Sequence, residues 1–348
     1  MNVMRNIIVF SAIFLTTIIL VVLGFIYAKT EEEKINWLAP IYDVSHQGDL
    51  AFVKYNEGKP EIYLKSDDST RLVLQLSDTM EILDITFVPN NDNGDIIFSV
   101  TEGNHKELSS VVYLLDGDTA QTSILFEKDA LITEITFDPK NEHKLYYLQA
   151  NKFESYSPIA QAHPHEFDIY DFNVETEEHV QHTTLNKYSM SSLQVSDTKD
   201  AVYVQMDDDV DAHTAEEIFD VKERIFEIPL NDEKEMSVLT DPSRTIPVYD
   251  FAILPDDDAI VFQSISNFAA GDTYEYELYY YNWKNHDEKR LTHLASYASR
   301  PVVSESEDKI YFMIDEHFGK SNVPKRKIYS MDMNGANMEE VNIQVNNE

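Results

Sequence analysis

The chain has 348 residues, of which 63 are acidic and 27 are basic, so its formal net charge at pH 7 is −36. This charge argues against nucleic acid or an anionic bilayer surface as a partner and favours basic proteins, peptides or divalent cations. The absence of cysteine excludes a disulfide framework, a thiolate metal site and a thiol nucleophile. A simpler interpretation also stays open, namely that the acidity keeps an exported protein soluble.

The first predicted element is an uncharged and mostly apolar run at residues 7–28, which is long enough to cross a bilayer as a helix. Arg5 precedes the run and every acidic residue follows it, so residues 1–6 are predicted to be cytoplasmic and the rest of the chain to lie outside. The alternative is a signal peptide cleaved after Ala28, although the apolar run is long for that role. We therefore expect a single-pass anchor in the cell membrane, a spacer at residues 29–41 and an extracytoplasmic domain at residues 42–348.

Beyond the spacer, a unit of short β-branched and aromatic strands recurs six times. Its clearest copy runs from Val248 to Thr292 and contains four strands separated by turn residues, which is typical of one propeller blade. A proline or serine closes the first strand of each unit, and these marks are spaced about 44 to 59 residues apart, close to a blade length. The six marks are Ser45, Pro89, Pro139, Ser196, Pro255 and Ser304. The predicted fold is all-β, a six-bladed β-propeller of four-stranded antiparallel blades preceded by one transmembrane helix.

Three short segments in the later units resemble those of a known family. The segment from Lys327 to Gly335 resembles the third strand and turn of a TolB-like six-bladed β-propeller, and the closing phrases 290–292 and 238–240 resemble that family's fourth strand. The resemblance covers about residues 42–345, but the family's Pro-Asp-Gly turn is degenerate here, as at Pro89-Asn90-Asn91. It implies a noncatalytic module that binds proteins or peptides, although some members precede a catalytic domain in larger enzymes.

One loop of the third unit concentrates residue types that bind metals. A rigid proline separates two histidines there, and carboxylates follow, an arrangement able to orient an imidazole pair. The residues are His163, His165, Glu166 and Asp168. A solvated loop is the simpler interpretation, because no second cluster with metal-ligand spacing accompanies them.

A second acidic run lies in the long loop of the fourth unit. Asp207, Asp209 and Asp211 match the first three ligand positions of a calcium-binding loop. The turn glycine and the bidentate glutamate of such a loop are both missing, with Ala212 and Ile218 in their places. The run is therefore either a looser cation site or a solvated charge cluster.

The third candidate site follows from the repeat itself. The position five residues before the closing mark is acidic in three units, as Asp84, Glu134 and Asp250. That position opens the innermost strand, so the three carboxylates are predicted to meet at the mouth of the central channel. Their mutual repulsion would be relieved by a cation, with calcium the best candidate, or by a basic side chain. Alternatively, these acids cap neighbouring backbone amides or lie in channel water.

The expected function is a noncatalytic protein- or peptide-binding or scaffold module of a bacterial cell envelope, with a basic partner. Long loops in the third and fourth units, at residues 151–166 and 207–222, indicate a recognition surface at the same rim. No nucleophile elbow, phosphate-binding loop or zinc-protease helix motif occurs. A cell-surface hydrolase acting on glycan or peptide at the channel mouth is the alternative, and a sensory or structural subunit is a third possibility.

Overall fold

The computed structural model describes residues 16–17, 35–66, 69–91, 93–102, 109–151, 165–210, 212, 214, 217, 221–241, 243–255, 258–269, 273–304, 306, 308–321 and 323–344. Apart from Thr16 and Thr17, the predicted anchor lies outside these ranges. In the part of the chain that is described, no helix has the length and apolarity needed to cross a bilayer. The position of the anchor and the boundaries of the spacer therefore stay predictions.

The first three blades are four-stranded antiparallel sheets built from consecutive strands. Blade 1 contains β1 (Leu38–Val44), β2 (Leu50–Asn56), β3 (Lys59–Ser66) and β4 (Ser69–Gln75). Blade 2 contains β5 (Met80–Phe87), β6 (Ile96–Glu102), β7 (Ser110–Leu115) and β8 (Thr122–Lys128). Blade 3 contains β9 (Leu131–Asp138), β10 (Asn141–Ala150), β11 (Phe167–Asn173) and β12 (His179–Gln181).

The last three blades repeat the plan, with a bridge from Tyr276 to Tyr297 joining blades 5 and 6. Blade 4 contains β13 (Met190–Val195), β14 (Ala201–Asp207), β15 (Glu223–Pro229) and β16 (Ser237–Val238), with a 3-10 helix at Glu233–Glu235. Blade 5 contains β17 (Val248–Ile253), β18 (Ala259–Ile265), β19 (Tyr276–Asn282) and β20 (Asp287–Arg290). Blade 6 contains β21 (Tyr297–Ser304), β22 (Lys309–Asp315), β23 (Arg326–Asp332) and β24 (Glu339–Glu340).

The six sheets form a ring around a central channel. Each innermost strand contacts that of the next blade, and β21 of blade 6 contacts β1 of blade 1. Every predicted closing mark lies at the end of an innermost strand or within two residues of it. The predicted division into six four-stranded antiparallel units is therefore confirmed.

The core lies between neighbouring blades rather than inside any one of them. The second strand of each blade is covered on both faces, so β14 and β18 are buried along almost their whole length. One apolar cluster joins Ala51 and Val53 of blade 1 to Ile85 and Phe98 of blade 2. Burial of this kind on both faces explains why these strands are continuous apolar runs instead of alternating ones.

Side chains close the ring between the first and last blades. In the described ranges each sheet consists of consecutive strands, so no strand is exchanged across the junction. The Tyr42 hydroxyl donates to the carbonyl of Arg300, and Arg326 Nη1 donates to the carbonyl of Leu38 at 3.0 Å. An apolar cluster around Phe52 and Met313 fills the remaining space.

Candidate functional site

A ring of inter-blade hydrogen bonds surrounds the channel. At five of the six junctions among the described residues, a side chain on one innermost strand accepts a bond from a backbone N–H of the next blade. These bonds join Phe87 N to Asp43 Oδ2 (2.9 Å), Ile135 N to Asp84 Oδ2 (2.9 Å), Leu193 N to Glu134 Oε2 (2.7 Å), Ile253 N to Gln194 Oε1 (2.9 Å) and Arg300 N to Asp250 Oδ2 (3.1 Å). The three predicted carboxylates thus cap neighbouring amides, as one interpretation of the sequence expected.

The side chain of Arg300 interacts with acids from three of the other blades. Its guanidinium Nη2 lies 4.0 Å from Asp84 Oδ1, and its charge also interacts with the carboxylates of Asp250 and Glu134. Burial alone would lower the pKa of Arg300, but these carboxylates together raise it. The chain itself therefore supplies one positive charge among the acids that the sequence placed at the channel.

Enclosure in this site raises the pKa values of three carboxyl groups. Burial, with a smaller contribution from the Glu134 charge, raises the pKa of Asp84 to about 7, although Arg300 opposes the change. Burial likewise raises the pKa of Glu134 and that of Asp43. One guanidinium does not balance the acids, so the site favours a proton or another positive group.

Two cavities meet at this cluster. We call the end of the ring where the innermost strands begin the upper face and the opposite end the lower face. A channel cavity of about 310 Å³ extends from the cluster towards the lower face, and a cleft of about 890 Å³ opens on the upper face across blades 6, 1 and 2. Asp250 and Arg300 line both, so the cluster separates the upper cleft from the channel.

The upper cleft combines aromatic and charged walls. Tyr297 stacks on Phe318 with ring centroids 4.1 Å apart, and Trp37 and Tyr55 also line the cleft. The remaining lining includes two exposed acids and one internally paired arginine: Asp78, Glu81 and Arg326, the last of which lies 3.7 Å from Asp315. Such a surface offers apolar contact area together with negative charge.

In the loop of blade 3 that contains residue types typical of metal sites, the described residues make structural contacts. Asp168 is buried and accepts bonds from Thr183 Oγ1 (2.8 Å) and Leu185 N (2.7 Å). Glu277 of blade 5 makes the equivalent contacts to Thr292 and Leu294. Asp168 therefore belongs to a repeated strand-capping pattern. His165 is buried and stacks on Tyr188 at 5.7 Å, Glu166 has a φ of +61°, and His163 lies outside the described residues.

Asp207 and Asp209 of blade 4 line neither of the two cavities. Asp209 forms an ion pair with the buried Lys187. Asp207 lies opposite Glu223 on the neighbouring strand, β15. Burial and the charges of Glu223 and Asp209 raise the pKa of Asp207. Asp211 lies outside the described residues. Among the residues that are described, no three or more His, Asp or Glu side chains are placed to hold a metal ion.

Sequence reasoning missed Arg300 and Tyr42. Counting back from the mark in blade 6 selects Ser299, whereas the side chain that interacts with the acids belongs to the next residue, Arg300. A usable signal was present, because Arg300 is the only basic residue in the six innermost strands. A lone cation among strands that carry acids at matching positions indicates an internal counter-charge.

Comparison with known proteins extends only to the fold. No protein-family model matches the chain, and no curated protein matches it in sequence. TolB from Acinetobacter baumannii is similar in structure, with a TM-score of 0.56 and 12% identity over 90% of this chain and 65% of that one. The chain has a TolB-like β-propeller fold. It spans less than two thirds of that TolB.

Other propellers match this TolB-like chain about as well. An oligogalacturonate lyase in complex with manganese has a TM-score of 0.57 and 13% identity over 88% of this chain and 78% of that one. The β-propeller domain of the Trilobed protease from Pyrococcus furiosus has a TM-score of 0.52 and 13% identity over 89% of this chain and 84% of that one. At such identities the likeness establishes the TolB-like fold, and the function has to be inferred from the site.

Proposed function

We propose that this TolB-like chain is a membrane-anchored, extracytoplasmic module of a bacterial cell envelope that binds a protein or peptide without catalysing a reaction. The upper cleft is the observation that carries the proposal. Its volume of about 890 Å³ and its aromatic walls suit several side chains of a bound segment. Asp78 and Glu81 at its edge are not balanced by the two arginines of the lining, because Arg326 pairs with Asp315 and Arg300 interacts with the acids of the channel. The segment bound there is therefore basic.

The bonding of the acids supports a binding role over catalysis. Asp84, Glu134 and Asp250 each use one carboxylate oxygen to hold the next blade, and Arg300 takes part of their charge. A general acid or base must be free to approach the proton that it transfers. Groups that join the blades of a ring are fixed in place, which suits a rigid binding surface.

The test is a pull-down with the full chain from solubilised envelopes. A stoichiometric protein partner is expected for the wild type and for Asp118→Asn/Glu175→Gln, which removes two exposed acids from lower-face turns. Asp78→Asn/Glu81→Gln removes the same charge from the upper cleft and should lose the partner. Equal capture by both variants would refute the cleft as the binding site.

The proposed anchoring has its own test. Protease added to intact cells should digest the propeller, because Arg5 and the acidic chain after residue 28 favour an outside location. A chain that is digested only after lysis would contradict the placement.

Calcium is a further ligand proposed for the channel mouth. Three carboxylates face one guanidinium there, so an added cation would reduce the remaining repulsion. Calcium should then raise the melting temperature at constant ionic strength, and replacement of Asp84, Glu134 and Asp250 by amides should abolish the shift. An equal response in wild type and triple variant would exclude these acids as ligands.

A cell-surface hydrolase remains the second candidate because of one observation. The pKa of Asp84 is about 7, raised by burial, and a second acid, Glu134, lies beside it. Burial raises the pKa of Glu134 as well, and a pair of carboxyl groups of which one is protonated and one ionised can act as acid and base on a glycosidic bond. Turnover of cell-wall fragments by the wild type and its loss in Asp84→Asn would favour this candidate over the binding module.

A further inference from the structure

The chain enters the ring on the upper face, beside the cleft. Gly58 N donates to the carbonyl of Ile35 at 3.0 Å, and Tyr55 N donates to the carbonyl of Trp37 at 2.8 Å. These bonds fix residues 35–37 along the β2–β3 turn, ahead of β1. Ile35 and Trp37 also line the cleft. The point where the spacer joins the propeller is thus part of the cleft wall.

The spacer restricts how far this point can lie from an anchor at residues 7–28. Only residues 29–34 intervene, and a fully extended chain advances at most about 3.6 Å per residue, which limits the reach from Ala28 to Ile35 to about 25 Å. To turn the lower face towards the bilayer, the spacer would have to pass outwards over the four strands of a blade, about 14 Å, and then down a seven-residue strand, about 23 Å. That route exceeds the reach.

We propose that the upper cleft faces the bilayer at a distance of no more than about 25 Å, and that its occupant is a basic, membrane-proximal segment of another membrane protein. The inference rests on the anchoring and binding role proposed above. Anionic lipid headgroups do not suit the cleft, because the acids at its edge repel them. A lysine or arginine side chain fits, because Asp78 and Glu81 attract its charge and the stacked Tyr297 and Phe318 offer ring faces to it.

The orientation is tested with the full chain in nanodiscs that contain an acceptor-labelled lipid. Since the chain has no cysteine, Thr79→Cys and Asp118→Cys each introduce a unique site for a donor dye. Both positions are exposed, the first at the cleft edge and the second in a lower-face turn. Energy transfer to the lipid should be stronger from position 79. Equal or stronger transfer from position 118 overturns the orientation alone, whereas a chain that is not retained in the disc overturns the anchoring as well.

The occupant is tested with a lysine- and arginine-rich peptide, either free or linked to a lipid in the same nanodisc. A membrane-facing cleft should bind the lipid-linked form at an at least tenfold lower concentration, because tethering raises the effective concentration. Asp78→Asn/Glu81→Gln should weaken binding at least fivefold, and Asp118→Asn/Glu175→Gln should not. Failure of the free peptide to bind the wild type refutes the binding role, and the absence of a tethering advantage refutes the membrane-facing cleft. Equal weakening by both variants refutes the cleft as the peptide site.

Discussion

The backbone of Arg300 is bonded on both sides, since its N–H donates to Asp250 Oδ2 at 3.1 Å and its carbonyl accepts a bond from the Tyr42 hydroxyl. Residue 300 therefore joins blade 6 to blades 5 and 1. Its φ of +54° is unfavourable for a side chain with a Cβ, and the surrounding bonds hold it there. The same conformation presents the guanidinium to the acids of the channel, so ring closure and the charge balance of the site depend on one residue.

Removal of this central charge should destabilise the ring. In Arg300→Gln the three carboxylates lose their only counter-charge in the innermost strands, and the free energy of unfolding should fall by about 3 to 5 kcal/mol. The loss should be greater at pH 8 than at pH 5, because Asp84, with its pKa raised to about 7 by burial, carries its charge at pH 8 and is mostly protonated at pH 5. Denaturant titration measures both values.

The control for that prediction is Arg71→Gln. Arg71 lies on β4, the outer strand of blade 1, and donates to the carbonyl of Gly117 in the β7–β8 turn of blade 2. Addition of Glu134→Gln to Arg300→Gln should restore part of the stability, since it relieves the repulsion. Equal losses for the two arginine variants would show that Arg300 is not a specific counter-charge.

Asp84 should make stability depend on pH. Its pKa rises from 3.8 to about 7 on folding, so the folded state binds the proton more tightly and the stability from Asp84 falls as the pH increases through that window. Asp84→Asn keeps an oxygen to accept the bond from Ile135 N but cannot ionise. Relative to the wild type, the variant should become progressively more stable between pH 4 and pH 7. A difference that does not change with pH would contradict the raised pKa.

The closure of the ring should be visible in amide hydrogen exchange. Tyr42→Phe removes the bond to Arg300 and should lower the free energy of unfolding by about 1 kcal/mol. Exchange should increase together in β1 and β21, the two strands that the bond joins. Tyr281→Phe, which removes a contact to His286 within blade 5, serves as the control. The same exchange pattern in both variants would show that Tyr42 does not specifically hold the junction.

The strand layout and the acids of the channel were predictable from sequence because they repeat. The closing marks located the innermost strands, and the shared position of Asp84, Glu134 and Asp250 placed three acids at one level of the channel. The repeat identified only residues at the matching position itself, and Arg300 follows that position of blade 6, Ser299, by one residue. Arg300 was missed for this reason.

The cleft could not be predicted in the same way. Its walls come from strand beginnings of blades 6, 1 and 2, where the β2–β3 turn is short, whereas the sequence directed attention to the long loops of blades 3 and 4. Those loops lie mostly outside the described residues, so their role as a recognition surface stays a prediction. In the loop at residues 163–168, Asp168 caps the same strand position as Glu277 does in blade 5, a structural role that the spacing of metal-binding residue types could not indicate.

Asp168 should therefore affect stability without affecting metal binding. Asp168→Asn weakens the bonds from Thr183 and Leu185, and a loss of about 1 to 3 kcal/mol in the free energy of unfolding is expected. Any shift of the melting temperature by zinc should be the same in the variant and the wild type. A zinc shift that disappears only in the variant would identify Asp168 as a ligand.

The central claim is that the upper cleft receives a protein partner, and photo-crosslinking in intact cells tests it most directly. A photoreactive phenylalanine analogue replaces Phe318 in the cleft or Ile124 on the outer strand of blade 2, two positions that are 37% and 52% exposed. Crosslinking from position 318 to one defined partner, lost in Asp78→Asn/Glu81→Gln, is the predicted result. Crosslinking to that partner from position 124 but not from position 318 would contradict it.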